Sequence, residues 1–165
     1  MGIGVSVIIP VYNPPHDKFE RCIGSLVSQT RELSMEFIFV NDGSTDTWIA
    51  ERLERLEKND SRVVVITKEN EGVSVARNIG MERARGEYLA FCDADDIYEK
   101  DAFEYMFHVV TEQNADAAVF GVSRVNFNHN KDVSSVVDCQ TKRNMLLSVL
   151  SYRTAEYSRK GFIID

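Results

Sequence analysis

The feature that most restricts the fold of this chain is an alternation. Short apolar runs, Val5 to Pro10, Met35 to Val40, Arg62 to Thr67 and Tyr88 to Cys92, each break into a polar loop that leads into a helical stretch. Apolar runs of this length, bounded by polar residues, read as buried strands. Between them, Phe19, Cys22, Ile23, Leu26 and Val27 recur at helical spacing, as do Ile49, Leu53 and Leu56. Phe103, Met106, Phe107 and Val110 repeat the pattern later. A helix is also expected from about Val73 to Ala84, with Gly86 marking its stop, and a fifth strand over Ala115 to Val125. Strands alternating with helices predict βαβ units, and so an α/β fold: a Rossmann-like, mostly parallel sheet with helices on both faces.

Such a sheet dictates where chemistry can sit. Ligands bind open α/β sheets at the carboxyl edge of the strands. The loops after strands one, two and four share that edge and carry Asn13, Asp42 and Asp93-Ala94-Asp95-Asp96. The loop after strand three leads into a helix bearing Arg77. Carboxylates crowded so closely repel one another, and a cation would relieve them. Hard oxygen ligands without neighbouring His or Cys suit Mg²⁺ or Mn²⁺ rather than zinc. The same acids also allow a plainer role, in which Asp96 caps a helix starting near Glu99. Ser44, Thr45 or Asp46 can likewise cap the second helix. With Arg77 as a fork of donors and a helix N-terminus near Val73, this edge has the inventory of a site for a metal-bound diphosphate.

Composition excludes other classes. A net charge of -7 and a pI near 5.0 argue against a nucleic-acid partner. Cys22, Cys92 and Cys139 are widely spaced and form no C-x-x-C, which fits a reducing, cytoplasmic setting without disulfides or zinc. No apolar run approaches the roughly 20 residues that cross a bilayer. Met1-Gly2 formally opens a myristoylation pattern, but a strand starting at Val5 leaves it little linker. A phosphatase or receiver domain would carry its acids after the first strand, which here ends in Asn13.

The motifs, in their order, resemble family 2 glycosyltransferases, inverting enzymes of the GT-A fold. The matching residues are Val5 to Asn13 (V-S-V-I-I-P-V-Y-N), Val40 to Asp46 (V-N-D-G-S-T-D) and Asn70 to Gly80 (N-E-G-V-S-V-A-R-N-I-G). Gly86-Glu87-Tyr88 through Asp96 completes the set. The resemblance implies that Pro10, Val11 and Tyr12 lie against the nucleotide base and that Asn13 belongs to the same donor-binding set. It implies that Asp42 contacts the base, with a reason to prefer uracil, whose N3–H a carboxylate can accept. It further implies that Asp93 touches ribose or metal, that Ala94 shares this donor loop, and that Asp95 ligates Mn²⁺ or Mg²⁺. Arg77 should lie near base or phosphates, and Asn78 and Gly80 should pack their helix close to the sheet.

The implied reaction is metal-dependent transfer of a sugar from a UDP-sugar to a hydroxyl of a glycan or lipid-linked acceptor, with inversion, in cell-surface polysaccharide or glycan synthesis. The resemblance is clear over the first two-thirds of the chain. Beyond it, a hairpin to Val133–Val137 and a helix over Asn144 to Leu150 are expected, and Gly161 to Asp165 reads as a strand cut at its start. That strand, exposed as an edge, can pair with a second copy to form a homodimer. Asp132, Asp138, Glu156 and Asp165 have no context marking a general base, so the base is expected outside this chain. The chain is accordingly read as a single GT-A domain over 1–165, truncated, with the nucleotide-sugar-binding part at 1–125 and the start of an acceptor-side part at 126–165. The full-length protein is expected in the cytoplasm or associated with a membrane. The alternative is a truncated or non-catalytic nucleotide-sugar-binding module.

Overall fold

The computed structural model describes residues 2–119 and 161–164. The elements run β1 (Val5–Val11), α1 (His16–Val27), β2 (Met35–Asp42), α2 (Thr47–Asn59), β3 (Val63–Lys68), α3 (Val73–Arg83), β4 (Tyr88–Phe91), α4 (Ala102–Glu112), β5 (Ala117–Val119) and β6 (Gly161–Ile164). They form one sheet in the order β3-β2-β1-β4-β6-β5, with every pairing parallel. This is the fold class that the alternation predicts. Among the described residues, no helix is long and apolar enough to cross a membrane. The expected hairpin at Val133–Val137, the helix over Asn144 to Leu150 and the acids Asp132, Asp138, Glu156 and Asp165 lie outside the described residues.

β1 sits at the centre and is buried along its whole length, as a strand covered on both faces must be. Its odd-numbered residues Val5, Val7, Ile9 and Val11 join the larger core, with Phe19, Cys22, Ile23 and Leu26 of α1, Ile49, Leu53 and Leu56 of α2, and Phe103, Met106 and Val110 of α4. Ile8 points to the other face, where Ile38, Val40 and Leu89 pack under Ala76 of α3. Burying each large side chain is worth about 1.5–3 kcal/mol, so these two layers dominate the stability. Gly80 allows α3 its close approach: a Cβ there would come within 2.4 Å of Ile8 Cγ2. Gly80 thus has the packing role expected of it, whereas Asn78 is exposed and does not.

Several boundaries differ from the sequence reading. β1 continues through Pro10 to Val11 rather than turning there. The β4 ladder ends opposite Ile8, so β1 is edge-like on that side at Pro10, where a missing N–H is tolerated. β2 likewise runs on to include Asn41 and Asp42. Asp46 is the residue that caps α2, accepting from the Trp48 N–H at 2.9 Å. Asp96 does not cap α4. The helix begins later, after Asp101 in a left-handed conformation (φ 64°), and the Asp96 N–H closes a turn onto the Asp93 carbonyl. Finally, β6 lies between β4 and β5, paired on both sides, so the exposed edge invoked for a homodimer is not there.

The amino edge of the sheet is locked by a buried carboxylate. Glu36, with only 3% of its side chain exposed, accepts from Ser6 Oγ at 2.6 Å, the Arg85 N–H at 2.7 Å and the Arg85 guanidinium at 2.7 and 3.0 Å. Ser6 Oγ in turn accepts from the Gly86 N–H at 2.7 Å. One side chain thereby ties β1, β2 and the α3–β4 turn together. Burial pushes the Glu36 carboxyl up, but the hydrogen bonds from Ser6 and Arg85 outweigh it and hold it below the ordinary glutamate value. Its contribution to stability is therefore present above that ordinary value and is lost as the pH falls through the depressed one. Glu36→Gln should destabilise the chain by about 2–4 kcal/mol at neutral pH, because the Arg85 donors lose their charged acceptor. Urea unfolding across pH should show the gap to wild type closing in acid; a gap independent of pH would reject this account.

Candidate active site at the carboxyl edge

The carboxyl ends of β1, β2 and β4 bring three of the polar loops side by side, and α1, α2 and α3 start from the same edge. Asn13 joins the first loop to the second. Its Oδ1 accepts from the Thr45 and Asp46 N–H groups at 3.0 and 3.2 Å, its Nδ2 donates to Thr45 Oγ1 at 3.1 Å, and its own N–H donates to Ser44 Oγ at 3.1 Å. It does this from a left-handed backbone (φ 44°), which asparagine tolerates better than most residues. His16 strengthens the junction, stacking on Trp48 at 4.0 Å and pairing with Asp46 at 2.6 Å. Tyr12 is exposed beside it, whereas the Pro10 and Val11 side chains are buried.

Asp42 is also buried. The register places it directly across from Lys68, and their side chains meet at 2.7 Å. Its carboxylate also accepts from the Glu71 and Gly72 N–H groups at 3.0 and 2.8 Å, which fixes the loop leading into α3. Burial raises its pKa, but Lys68 and the two backbone donors outweigh that and hold it below the usual aspartate value. The ionised carboxylate can accept about four hydrogen bonds and here receives three, so one acceptor direction remains. Gly43 and Gly72 turn the adjoining loops with φ of 70° and 96°.

The loop after β4 is pinned from below. The Asp93 carbonyl accepts from the Asp96 N–H at 3.0 Å and lies 3.6 and 3.4 Å from the thiols of Cys22 and Cys92. Both cysteines are buried, as their apolar surroundings predict. Ala94 is buried too, so the flanking Asp93 and Asp95 side chains are the ones presented, each about half exposed. Asp93 pairs with Arg77 at 2.7 Å, and Asp95 with Lys18 at 3.1 Å. Arg77 Nε is buried without a hydrogen-bond partner, which costs on the order of 1–3 kcal/mol unless a further acceptor arrives.

Among the described residues, no group of three or more His, Cys, Asp or Glu side chains could hold a metal ion. A metal at this edge would have to be shared with a ligand. Mg²⁺ is commonly held by one or two carboxylates, with substrate phosphates and water completing its shell. Asp93 and Asp95 could supply the carboxylates, and Arg77 could meet the phosphates. Lys18 and Lys68 escaped the sequence reading. For Lys68 the signal lies in the register, but Lys18, in the first turn of a helix that starts at this edge, could have been found.

Comparisons with known proteins bear on the family and the fold. Residues 6–157 match the model of glycosyl transferase family 2. The chain therefore belongs to glycosyl transferase family 2. It is 38% identical over 115 residues to the glycosyltransferase GlyA of Streptococcus pneumoniae, covering 70% of this chain and 16% of that protein. The uncharacterized glycosyltransferase EpsJ of Bacillus subtilis is 35% identical over 144 residues, covering 87% of this chain and 40% of its own length. The chain thus spans well under two-thirds of these relatives. Among solved structures, Staphylococcus aureus TarS 1-349 in complex with UDP-GlcNAc superposes with a TM-score of 0.66 at 25% identity, covering 80% of this chain and 37% of that one. TarS 1-349 alone gives 0.64 at 26% identity, covering 76% and 40%. The fold is that of the GT-A glycosyltransferases.

Asn13 gives a test of how the edge is assembled. Asn13→Ala should lower stability by about 1–2 kcal/mol, since it removes three side-chain hydrogen bonds and strains the backbone. Asn13→Asp keeps the acceptor and should cost less. Chemical denaturation would rank the pair, and equal losses would show that the Oδ1 contacts contribute nothing.

Proposed function

We propose that this chain carries the donor site of a metal-dependent, inverting glycosyltransferase that takes a UDP-sugar. One observation carries the reading: a single sheet edge gathers the Asp93 and Asp95 carboxylates, the N-terminus of α3 and Arg77 with its unpartnered buried Nε. These groups recognise a diphosphate and its cation. The family and the UDP-GlcNAc complex of TarS supply the sugar nucleotide.

In this reading the remaining acceptor direction of Asp42 receives the uracil N3–H, and Tyr12 lies over the base. Asp93 and Asp95 hold Mn²⁺ or Mg²⁺, which supplies charge stabilisation to the departing diphosphate. Arg77 donates to the diphosphate oxygens, where negative charge develops as the glycosidic bond breaks. The acceptor oxygen attacks the anomeric carbon from the opposite side, so the configuration inverts. Its proton passes to a base outside the described residues. The acceptor is a glycan or a lipid-linked saccharide of cell-surface synthesis.

Calorimetric titration of UDP, with CDP and GDP as controls, tests the donor site. Binding should favour UDP and tighten with Mn²⁺, and Asp95→Asn should reduce it to the metal-free level. Nucleotide binding that ignores both Mn²⁺ and Asp95→Asn would remove the assignment.

A further inference from the structure

We propose that Lys18 is the resident cation of the Asp93–Asp95 loop: it neutralises Asp95 when no metal is bound, yields it to the divalent cation, and then pairs with the incoming diphosphate. The inference rests on reading Asp95 as the metal ligand and goes beyond it by assigning a role to a lysine on a different element.

Lys18 lies in the first turn of α1, at the edge where β1 ends, and its Nζ is 3.1 Å from Asp95 Oδ2. Asp93 is matched in the same way by Arg77. Two carboxylates therefore face two cations, and the charges of these four side chains sum to zero before any ligand arrives. A free divalent cation entering this site must displace an ammonium and leaves an uncompensated double positive charge. The same cation carrying the doubly charged diphosphate of a nucleotide-sugar leaves none. The pairing thus discriminates against bare metal and favours the metal–diphosphate complex.

The two cations differ in kind. Arg77 is a fork with a buried, unpartnered Nε, held on α3. Lys18 is a point charge on a flexible stem, and its pair with Asp95 is about half exposed on both sides. Exposed pairs of this sort are weak, which makes the ammonium displaceable while still imposing a measurable bias. Once released, the ammonium stays on the first turn of α1 at the same edge, where an anionic diphosphate would attract it.

Mn²⁺ binding to the purified chain, followed by the electron paramagnetic resonance of the free ion with and without UDP, tests this. Lys18→Met should bind Mn²⁺ without nucleotide about three- to fivefold more tightly than wild type. The tightening of Mn²⁺ by UDP should shrink by at least about the same factor, and by reciprocity so should the tightening of UDP by Mn²⁺. Lys58→Met removes the same charge from an exposed pair with Glu54 on α2 and should match wild type in both respects. If Asp95→Asn abolishes the metal response while Lys18→Met behaves as wild type, the role of Lys18 is overturned and the metal site stands. If Asp95→Asn leaves Mn²⁺ binding intact, or wild type binds no Mn²⁺ even with UDP, the metal assignment falls and the role of Lys18 with it.

Discussion

The parallel pairing of β1 between β2 and β4 is the constraint on which the rest depends. β1 meets β2 along Val5 to Val11 and β4 along Val5 to Ile8, and it is buried throughout. A strand enclosed on both faces, and on both sides from Val5 to Ile8, cannot slip without moving its neighbours, since a shift of one residue would reverse every side chain. That fixed register sets the lengths of the strands relative to one another. β4 stops short of β1, so the acids after it fall beside the end of β1, near α1. The chemistry is therefore placed by where strands end.

Charge organises the two edges differently. At the amino edge, Glu36 is enclosed by its donors and acts as a lock. At the carboxyl edge, Asp42 is almost equally enclosed, yet Asp93 and Asp95 remain half exposed and are each met by a cation. The buried acids shape the loops and the open ones remain available to a ligand. A buried guanidinium nitrogen without an acceptor, Arg77 Nε, is the one sign of imbalance among the described side chains, and it belongs to the cation that meets Asp93.

Much of this was readable from sequence because it depends on periodicity. The stripe Phe19, Cys22, Ile23 and Leu26 is the buried face of α1, and the acids after Phe91 mark the strand end. What escaped depends on register and backbone conformation. Lys68 belongs to Asp42 only because β3 pairs with β2 in one alignment, and no local pattern encodes that. Asp96 looked like a cap, but the chain delays α4 until Asp101, which adopts a conformation that aspartate rarely advertises. Pro10 looked like a strand end, because its tolerance depends on how far β4 extends. The last strand was legible as a strand, but its place inside the sheet was not.

The bare Cα of Gly80 has a consequence for a residue one turn earlier. Because no methyl stands between α3 and Ile8, the helix axis lies low against the sheet, and Arg77 rides at a height from which its guanidinium meets Asp93. α3 acts as a lever with its fulcrum at position 80. A side chain there would lift the arm and lengthen the reach of Arg77 without altering a single charged group, so the geometry of the edge is calibrated from inside the core.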